Sequence, residues 1–290
     1  MTPPVPDVLA RTRRKVLNGA LGLRPARSSL LRVDPVAPAE AYRRQWIELA
    51  DLLADLAPAD WLAVTSMDVT VHELVAHLVA QQRWVARTLF GAGHFAVPPG
   101  TEGDHWALSW PTVRRLRERS TVEAVAELAA ACTLLVDVAA ATPPQRWARG
   151  RGVTLDDAFA ARTFELWIHS DDIRAATDRP LLDPDRARLD RLCRLAATFA
   201  PLGMEIAGTA RPGRTMRLVL TGPGGGTWVQ PLGLAAPTAG AAADVTIVAD
   251  GARFCRMAGN LLAPGALDAD VEGDATLVAD VLTGARAFAE

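Results

Sequence analysis

Four polar side chains lie on one face of a segment that is otherwise strongly apolar. Glu165 and His169 are four residues apart and His169 and Asp172 are three apart, so an α-helix places them on one side. Arg162 lies on the same face, and we call these four residues the polar seam. Large apolar residues surround them: Leu155, Phe159, Phe164, Leu166, Trp167, Ile168 and Ile173. This pattern predicts a buried helix, and buried charge is costly unless it is paired or bound to metal.

The polar seam could supply two ligands of a metal site. A carboxylate and an imidazole one helical turn apart can bind one ion, and a catalytic site needs a third protein ligand. His77, in the middle of a predicted helix, is the best candidate, because His72 is expected to be exposed and His94 and His105 fall in a predicted loop over 94–109. The alternative stays open that the seam consists of ordinary paired residues in the core and at the surface.

The composition restricts the class of protein. The chain has 290 residues, half of them hydrophobic, and its net charge of −2 gives no indication of a general nucleic-acid or membrane-surface binder. Cys132, Cys193 and Cys255 are far apart and odd in number, which disfavours a disulfide framework and indicates a reducing, cytoplasmic setting. No apolar run reaches the ~18–20 residues of a membrane span.

The first half of the chain has the periodicity of long helices. Helices are predicted over 38–56, from Thr70, from Ser120 to about 141 and from Thr154 to about 177. The last three begin with capping boxes, in which a hydroxyl residue precedes an acidic residue by three positions: Thr70 with Glu73, Ser120 with Glu123 and Thr154 with Asp157. Four long helices predict a four-helix bundle.

The second half has a mixed pattern. Asp183-Pro184 is predicted to open a helix to about 208, and a final helix is predicted from Asp274. Between them lie short β-like runs at 216–220, 226–229, 245–248 and 267–271, with a helix at 251–259. We therefore predict an α+β protein with an N-terminal extension over 1–36, a helical bundle over 37–180 and a smaller C-terminal α/β domain over 181–290.

Two elements of the sequence resemble the mycothiol-dependent maleylpyruvate isomerase family of the DinB-like superfamily. The first is APADWLAVTSMDVTVHELVAHLVAQQRWV and the second is AARTFELWIHSDDIRAA. In that family the first element supplies a histidine, here His77, and the second has the pattern E-x-x-x-H-x-x-D, here Glu165, His169 and Asp172. The match spans most of residues 38–180, and VEGDATLVADVL near the C-terminus is a weaker match. The resemblance implies a DinB-like four-helix bundle with a divalent metal, usually zinc, on His77, Glu165 and His169.

The resemblance also implies a thiol cofactor, mycothiol, which high-G+C bacteria make. The chain has a single lysine, Lys15, among many arginines and alanines, which agrees with such an origin. Asp172 and Arg162 are the candidate catalytic residues: Asp172 is expected to fix the tautomer of a ligand or a nearby arginine, and Arg162 to pair with Glu165 or with a substrate carboxylate. The family often has Gly-Arg before its last strand, where this chain has Gly259-Asn260, so Arg253 or Arg256 is expected to contact the cofactor.

The function implied is that of a metal-dependent enzyme in which the thiol attacks an electrophilic small molecule, giving cis–trans isomerisation or S-conjugation. The chain is expected to act as a monomer or homodimer in the cytoplasm, without nucleic-acid or membrane partners. Two alternatives stay open. One is a non-catalytic metal- or ligand-binding module on the same scaffold, and the other is a hydrolase that uses metal-bound water, with Asp172 or His105 as its base.

Overall fold

The structure, a computed structural model, describes residues 35–90, 107, 109–141, 154–234 and 242–287. The chain divides into two compact units, one over Val36–Pro184 and one that begins at Asp185. The described residues form eight α-helices and one four-stranded sheet, which confirms the predicted α+β class. Residues 1–34 of the predicted extension and most of the predicted loop over 94–109, including His94 and His105, lie outside the described residues.

The described residues of the first unit form four long α-helices and a short one. They are α1 (Pro38–Ala54), α2 (Val71–Phe90), α3 (Trp110–Arg117), α4 (Thr121–Ala141) and α5 (Leu155–Ala176). Helix α2 packs against α4 and α1 against α5, while α1 also contacts α4 and α2 contacts α5. Their apolar faces enclose one core that includes Leu49, Leu74, Leu128, Leu135 and Leu166. The predicted four-helix bundle is thereby confirmed.

Hydrogen bonds confirm the three predicted capping boxes. The Thr70 backbone N–H donates to Glu73 Oε2 at 2.8 Å, and the Glu73 N–H donates to Thr70 Oγ1 at 3.2 Å. The pairs that open α4 and α5 are reciprocal in the same way. Each box satisfies donors that the first helical turn leaves without a partner, and so fixes where the helix begins.

Helix α3 lies between the predicted loop and α4 and has no counterpart among the predicted elements. Pro111 sits in its first turn, where a missing N–H costs no helical hydrogen bond. Only Val113 and Leu116 are buried, both fully, and the last turn carries three arginines. Three apolar residues, Trp110, Val113 and Leu116, within eight positions give too short a periodic signal to distinguish a short helix from a loop.

Helix α5 is buried on all sides over two turns, because every residue from 166 to 173 is buried. Asp171 and Asp172 are 1% and 2% exposed, so neither carboxylate is solvated although both lie near the end of the helix. Asp171 Oδ1 accepts a hydrogen bond from the Leu182 N–H at 3.1 Å, and the Trp167 indole donates to the Leu182 carbonyl at 2.9 Å. The backbone N–H and carbonyl of Leu182 are thus both hydrogen-bonded to α5, which holds the segment after this helix against it.

The second unit packs helices against a mixed sheet. Its elements are α6 (Arg186–Ile206), β1 (Thr215–Thr221), β2 (Gly226–Pro231), β3 (Val245–Asp250), α7 (Gly251–Ala258), β4 (Asp270–Gly273) and α8 (Thr276–Arg286). The strand order is β2-β1-β3-β4, with β1 and β3 parallel and the outer pairs antiparallel. Helix α6 packs against α7, α8 and β2.

Helix α6 begins later than the predicted Asp183-Pro184 start. Asp185 is its N-cap, and the carboxylate accepts hydrogen bonds from the Ala187 and Arg188 N–H groups, both at 3.0 Å. Two nearby aspartates could each have capped this helix, and only the backbone geometry distinguishes them. None of the helices in the described ranges is both long and apolar enough to cross a bilayer.

Candidate metal centre

Three side chains that can bind metal meet inside the helical bundle. His77 on α2 and Glu165 and His169 on α5 each offer one ligand atom, and these atoms lie within 4.8 Å of one another. His77 Nε2 is 3.8 Å from Glu165 Oε1, and the two imidazoles meet edge to face with ring centroids 5.5 Å apart. His77 is 3% exposed and His169 is 7% exposed. The structure therefore brings together the three predicted ligands, with both histidines buried and Glu165 partly exposed.

The donor set suits a divalent ion of the zinc class. Zinc binds imidazole nitrogen and carboxylate oxygen at about 2.0–2.2 Å, so two ligand atoms of one ion lie at most about 4.4 Å apart. A spread of 4.8 Å fits such an ion after small side-chain adjustments. Three protein ligands are also the number typical of catalytic zinc sites, which keep a further position for water or substrate.

Asp172 adjoins the second nitrogen of His169. His169 Nδ1 lies 3.4 Å from Asp172 Oδ2, and the Ser66 hydroxyl donates a hydrogen bond to Asp172 Oδ1. A carboxylate beside Nδ1 favours the tautomer with its proton there, which leaves Nε2 free for a metal ion. This is the geometry that the predicted supporting role of Asp172 requires.

The second oxygen of Glu165 accepts two hydrogen bonds. Arg162 Nη1 donates to Glu165 Oε2, and Gln82 Nε2 donates to the same atom at 3.3 Å. The Gln82 side-chain carbonyl in turn accepts a hydrogen bond from the Tyr42 hydroxyl at 3.0 Å. Of the two partners predicted for Arg162, Glu165 is the one it contacts. Glu165 Oε1 remains on the side of His77.

Three residues around the site, Ser66, Tyr42 and Gln82, were not among the site residues predicted from the sequence. Ser66 lies in the loop before α2, and Tyr42 follows the apolar periodicity of α1 as a core residue would. Gln82 offers the one usable signal, since it is a polar residue on an apolar helix and is 0% exposed. A buried amide must find hydrogen-bond partners, but the sequence does not say which.

The cysteines are unsuited to act as nucleophiles. All three are free and buried. Burial raises the pKa of Cys132 to about 12, and the pKa of Cys193 is raised by its hydrogen bond with Cys255 and by burial. The Cys193 and Cys255 sulfurs are 3.9 Å apart. Because the thiolate is the reactive form, thiols that keep their protons are poor nucleophiles at neutral pH.

We expect the native protein to resist thiol reagents at neutral pH. Burial blocks access to all three cysteines, and the raised pKa values of Cys132 and Cys193 leave little thiolate. Titration with a chromogenic aromatic disulfide should detect almost no thiol before denaturation and all three afterwards. One cysteine that reacts rapidly in the native protein would indicate a nucleophile within the chain and contradict this expectation.

Arg253 and Arg256 lie on α7 in the second unit. The Arg253 guanidinium is exposed and donates a hydrogen bond to the Ala266 carbonyl at 2.7 Å. Gly259-Asn260 ends the same helix: Gly259 is the C-cap, and Asn260 has a φ of 64°, a left-handed conformation that asparagine tolerates. Asn260 Oδ1 accepts a hydrogen bond from Arg286 at 2.6 Å, so it has a structural role here. The cofactor contacts of Arg253 and Arg256 stay predictions.

His72 is less exposed than expected. Its ring packs edge to face against Trp61, with centroids 6.1 Å apart, and burial lowers its pKa. It lies on α2 with His77 but is not part of the group that can bind metal. His72 therefore remains neutral over a wider pH range than an exposed histidine.

Comparison with known proteins gives consistent matches. Residues 42–174 match the family described as the mycothiol maleylpyruvate isomerase N-terminal domain. Two crystal structures of mycothiol-dependent maleylpyruvate isomerase, one of them a histidine-to-alanine mutant, have the same fold with a TM-score of 0.56. Their sequences are 17% identical to this one, or 16% for the mutant, and each match covers 80% of this chain and 91% of the other. No curated protein matches the sequence significantly.

Proposed function

We propose, from the match of residues 42–174 to the mycothiol maleylpyruvate isomerase N-terminal domain family, that the chain is a metal-dependent enzyme whose nucleophile is a small-molecule thiol, mycothiol. The observation that supports the proposal most is the meeting of His77, Glu165 and His169 within the matched region. A second support is that none of the cysteines is suited to serve as the nucleophile.

A divalent ion, zinc by its donor set, would lower the pKa of a bound thiol and so supply a thiolate at neutral pH. Two neutral imidazoles and one carboxylate compensate only one of the two positive charges of such an ion. The site of His77, Glu165 and His169 would thus stay net positive and attract an anionic ligand. Water exclusion around the buried histidines strengthens this attraction.

The remaining site residues are proposed to orient the ligands. Asp172 would hold the proton of His169 on Nδ1, and Ser66 would hold Asp172 in place. Arg162 would reduce the negative charge of Glu165 and keep the carboxylate in one orientation. Arg253 and Arg256 are proposed to bind the cofactor, in place of the arginine that the family often has near its last strand.

Two reaction outcomes fit this chemistry. The thiol adds to an activated double bond and leaves again after rotation, which is cis–trans isomerisation, or it remains attached, which is S-conjugation. The structural neighbours are isomerases of maleylpyruvate, so this compound is the first substrate to test. The proposed partners are mycothiol and one electrophilic small molecule, and we expect the protein to act in the cytoplasm as a monomer or homodimer.

The alternatives have less support. A hydrolase would need a general base at the open position, and Asp172 is already engaged by His169 and Ser66. A non-catalytic module that binds an organic ligand would not need three converging metal ligands, whereas a metal-binding module would use them without catalysis. Neither alternative requires mycothiol, so dependence on this thiol separates them from the proposed enzyme.

The test is to incubate zinc-loaded protein with maleylpyruvate, with and without mycothiol, and to separate the products by chromatography coupled to mass spectrometry. We expect conversion only when the thiol is present. A product of unchanged mass identifies an isomerase, and a product heavier by the mass of the thiol identifies a transferase.

The control for this test is the Glu165→Ala variant, which should show no thiol-dependent conversion at the same protein concentration. Calorimetry of mycothiol binding provides a second readout that does not depend on the substrate. Absence of both mycothiol binding and thiol-dependent turnover in the zinc-loaded protein would refute the proposal and favour the hydrolase or the binding module.

A further inference from the structure

A chain of buried hydrogen bonds crosses three helices and ends on the proposed metal ligand. It runs from Tyr42 on α1 through Gln82 on α2 to Glu165 on α5. Tyr42 and Gln82 are both 0% exposed, so water cannot replace either contact. Because an unpartnered buried polar group is costly, this chain constrains the position of each group in it.

The chemistry of the groups fixes the direction of the chain. An ionised carboxylate can only accept, so Gln82 must present its NH₂ group to Glu165. Its carbonyl oxygen then faces Tyr42, which must donate. Burial raises the pKa of Tyr42 well above its usual value, so the hydroxyl keeps the proton that it donates. The Cys132 thiol, which is hydrogen-bonded to Tyr42, also stays protonated, with a pKa of about 12.

We propose that Gln82, oriented by Tyr42, is a positioning residue that occupies Oε2 of Glu165 and leaves Oε1 as its single metal-binding oxygen. This inference rests on the metal site of the proposed function. A carboxylate can bind a metal through one oxygen or two, and bidentate binding would need Oε2 to give up the hydrogen bonds from Gln82 and Arg162. One-oxygen binding leaves coordination positions for the thiol.

Gln82 is better placed than Arg162 to enforce this geometry. The Arg162 side chain is 19% exposed, so water can accept its hydrogen bonds when it moves away. Gln82 is enclosed and also bonded to Tyr42, so the amide cannot turn without losing both partners. Arg162 contributes positive charge near Oε2, whereas Gln82 fixes the orientation of the Glu165 carboxylate.

The test compares full-length wild type with Gln82→Met and Tyr42→Phe. Methionine has the length of glutamine without its donor or acceptor, and phenylalanine keeps the ring that packs against Phe159 at 5.6 Å. Zinc affinity is measured by competition with a chromophoric chelator, and coordination number by the visible absorption of the cobalt(II)-substituted protein. We expect Gln82→Met to weaken zinc binding by about 10- to 100-fold, as is typical for groups that orient a ligand.

The cobalt spectrum is a readout that a purely structural role would not change. If Oε2 becomes free to bind, the coordination number rises and the visible bands of Gln82→Met should weaken. Tyr42→Phe should shift both readouts in the same direction by less, and it tests the inference if Gln82→Met does not fold. Gln81→Met is the matched control, because the Gln81 amide donates to Ser109 at 3.4 Å, and it should behave like wild type.

The outcomes separate this inference from the proposed function. If wild type binds zinc and both variants have its affinity and its cobalt spectrum, the role of Gln82 is refuted and the metal site stands. If wild type binds no metal, the proposed function and the inference that rests on it are both refuted. Reduced affinity together with an altered spectrum in Gln82→Met, and unchanged behaviour of Gln81→Met, supports the inference.

Discussion

Alanine at His77, Glu165 or His169 is expected to abolish tight metal binding, while wild type should hold about one equivalent of zinc or a similar ion. Each substitution removes one of the three ligands that the described residues bring together. The loss in affinity should exceed the 10- to 100-fold typical of a group that merely orients a ligand. Elemental analysis after desalting measures the metal content, and chelator competition measures the affinity.

The same variants should lose the stabilisation that metal binding gives. A ligand that binds the folded state at 1,000 times its Kd stabilises that state by about 4 kcal/mol. Zinc should therefore raise the melting temperature of wild type, whereas each alanine variant should melt at nearly the same temperature with and without zinc. Because each variant is compared with itself, with and without zinc, any change that the substitution makes to the melting temperature of the metal-free protein cancels.

His72→Ala is the matched control, since it removes a histidine from the same helix as His77 without touching the three ligands. It should retain the full metal content of wild type. Full metal content in all three ligand variants would mean that the ion, if present, binds elsewhere. Equal loss in His72→Ala would mean that damage to α2, rather than loss of a ligand, explains the result.

The parts of this site that depend on local sequence were predictable. The positions of Glu165 and His169 follow from helical spacing alone, and the Thr70 and Thr154 capping boxes set the register of both helices that carry ligands. His77 could be selected because it lies in the apolar centre of its helix. Helical periodicity therefore predicted which residues point into the bundle.

The partners of these residues were not predictable, because they depend on how helices pack. Gln82 is one of two adjacent glutamines, and only the packing of α2 against α5 determines that its amide, and not that of Gln81, reaches Glu165. Ser66 reaches Asp172 through a loop turn in which Asp68 has a φ of 57°. These two hydrogen bonds join residues that are separated by 83 and by 106 positions in the sequence, so no local pattern reveals them.

In the second unit, the sequence predicted the order of elements but not how closely they pack. Gly203 and Gly284 lie within helices, where glycine is about 1 kcal/mol less favourable than alanine. In the structure they lie where α6 and α8 meet. A methyl group on Gly203 would collide with the Gly284 carbonyl, and one on Gly284 would lie 2.8 Å from the Met204 backbone nitrogen and Cα.

We expect Gly203→Ala to destabilise the second unit by about 3 kcal/mol or more, at the upper end of the overpacking range. The obstacle is backbone, so rotation of a side chain cannot relieve it and the two helices must move apart. This cost exceeds the gain of about 1 kcal/mol that alanine brings to a helix. Denaturant unfolding followed by circular dichroism measures the effect. The part of the signal that comes from the second unit should be lost at a lower denaturant concentration than in wild type.

Gly265→Ala is the control for the same substitution without a collision, because a methyl group there would meet nothing within 4 Å. Its stability should stay within about 0.5 kcal/mol of wild type. The metal ligands all belong to the first unit, so Gly203→Ala should keep the metal content of wild type below its unfolding transition. Wild-type stability of Gly203→Ala would contradict the close helix packing, and loss of metal from the folded variant would make the metal site depend on the second unit.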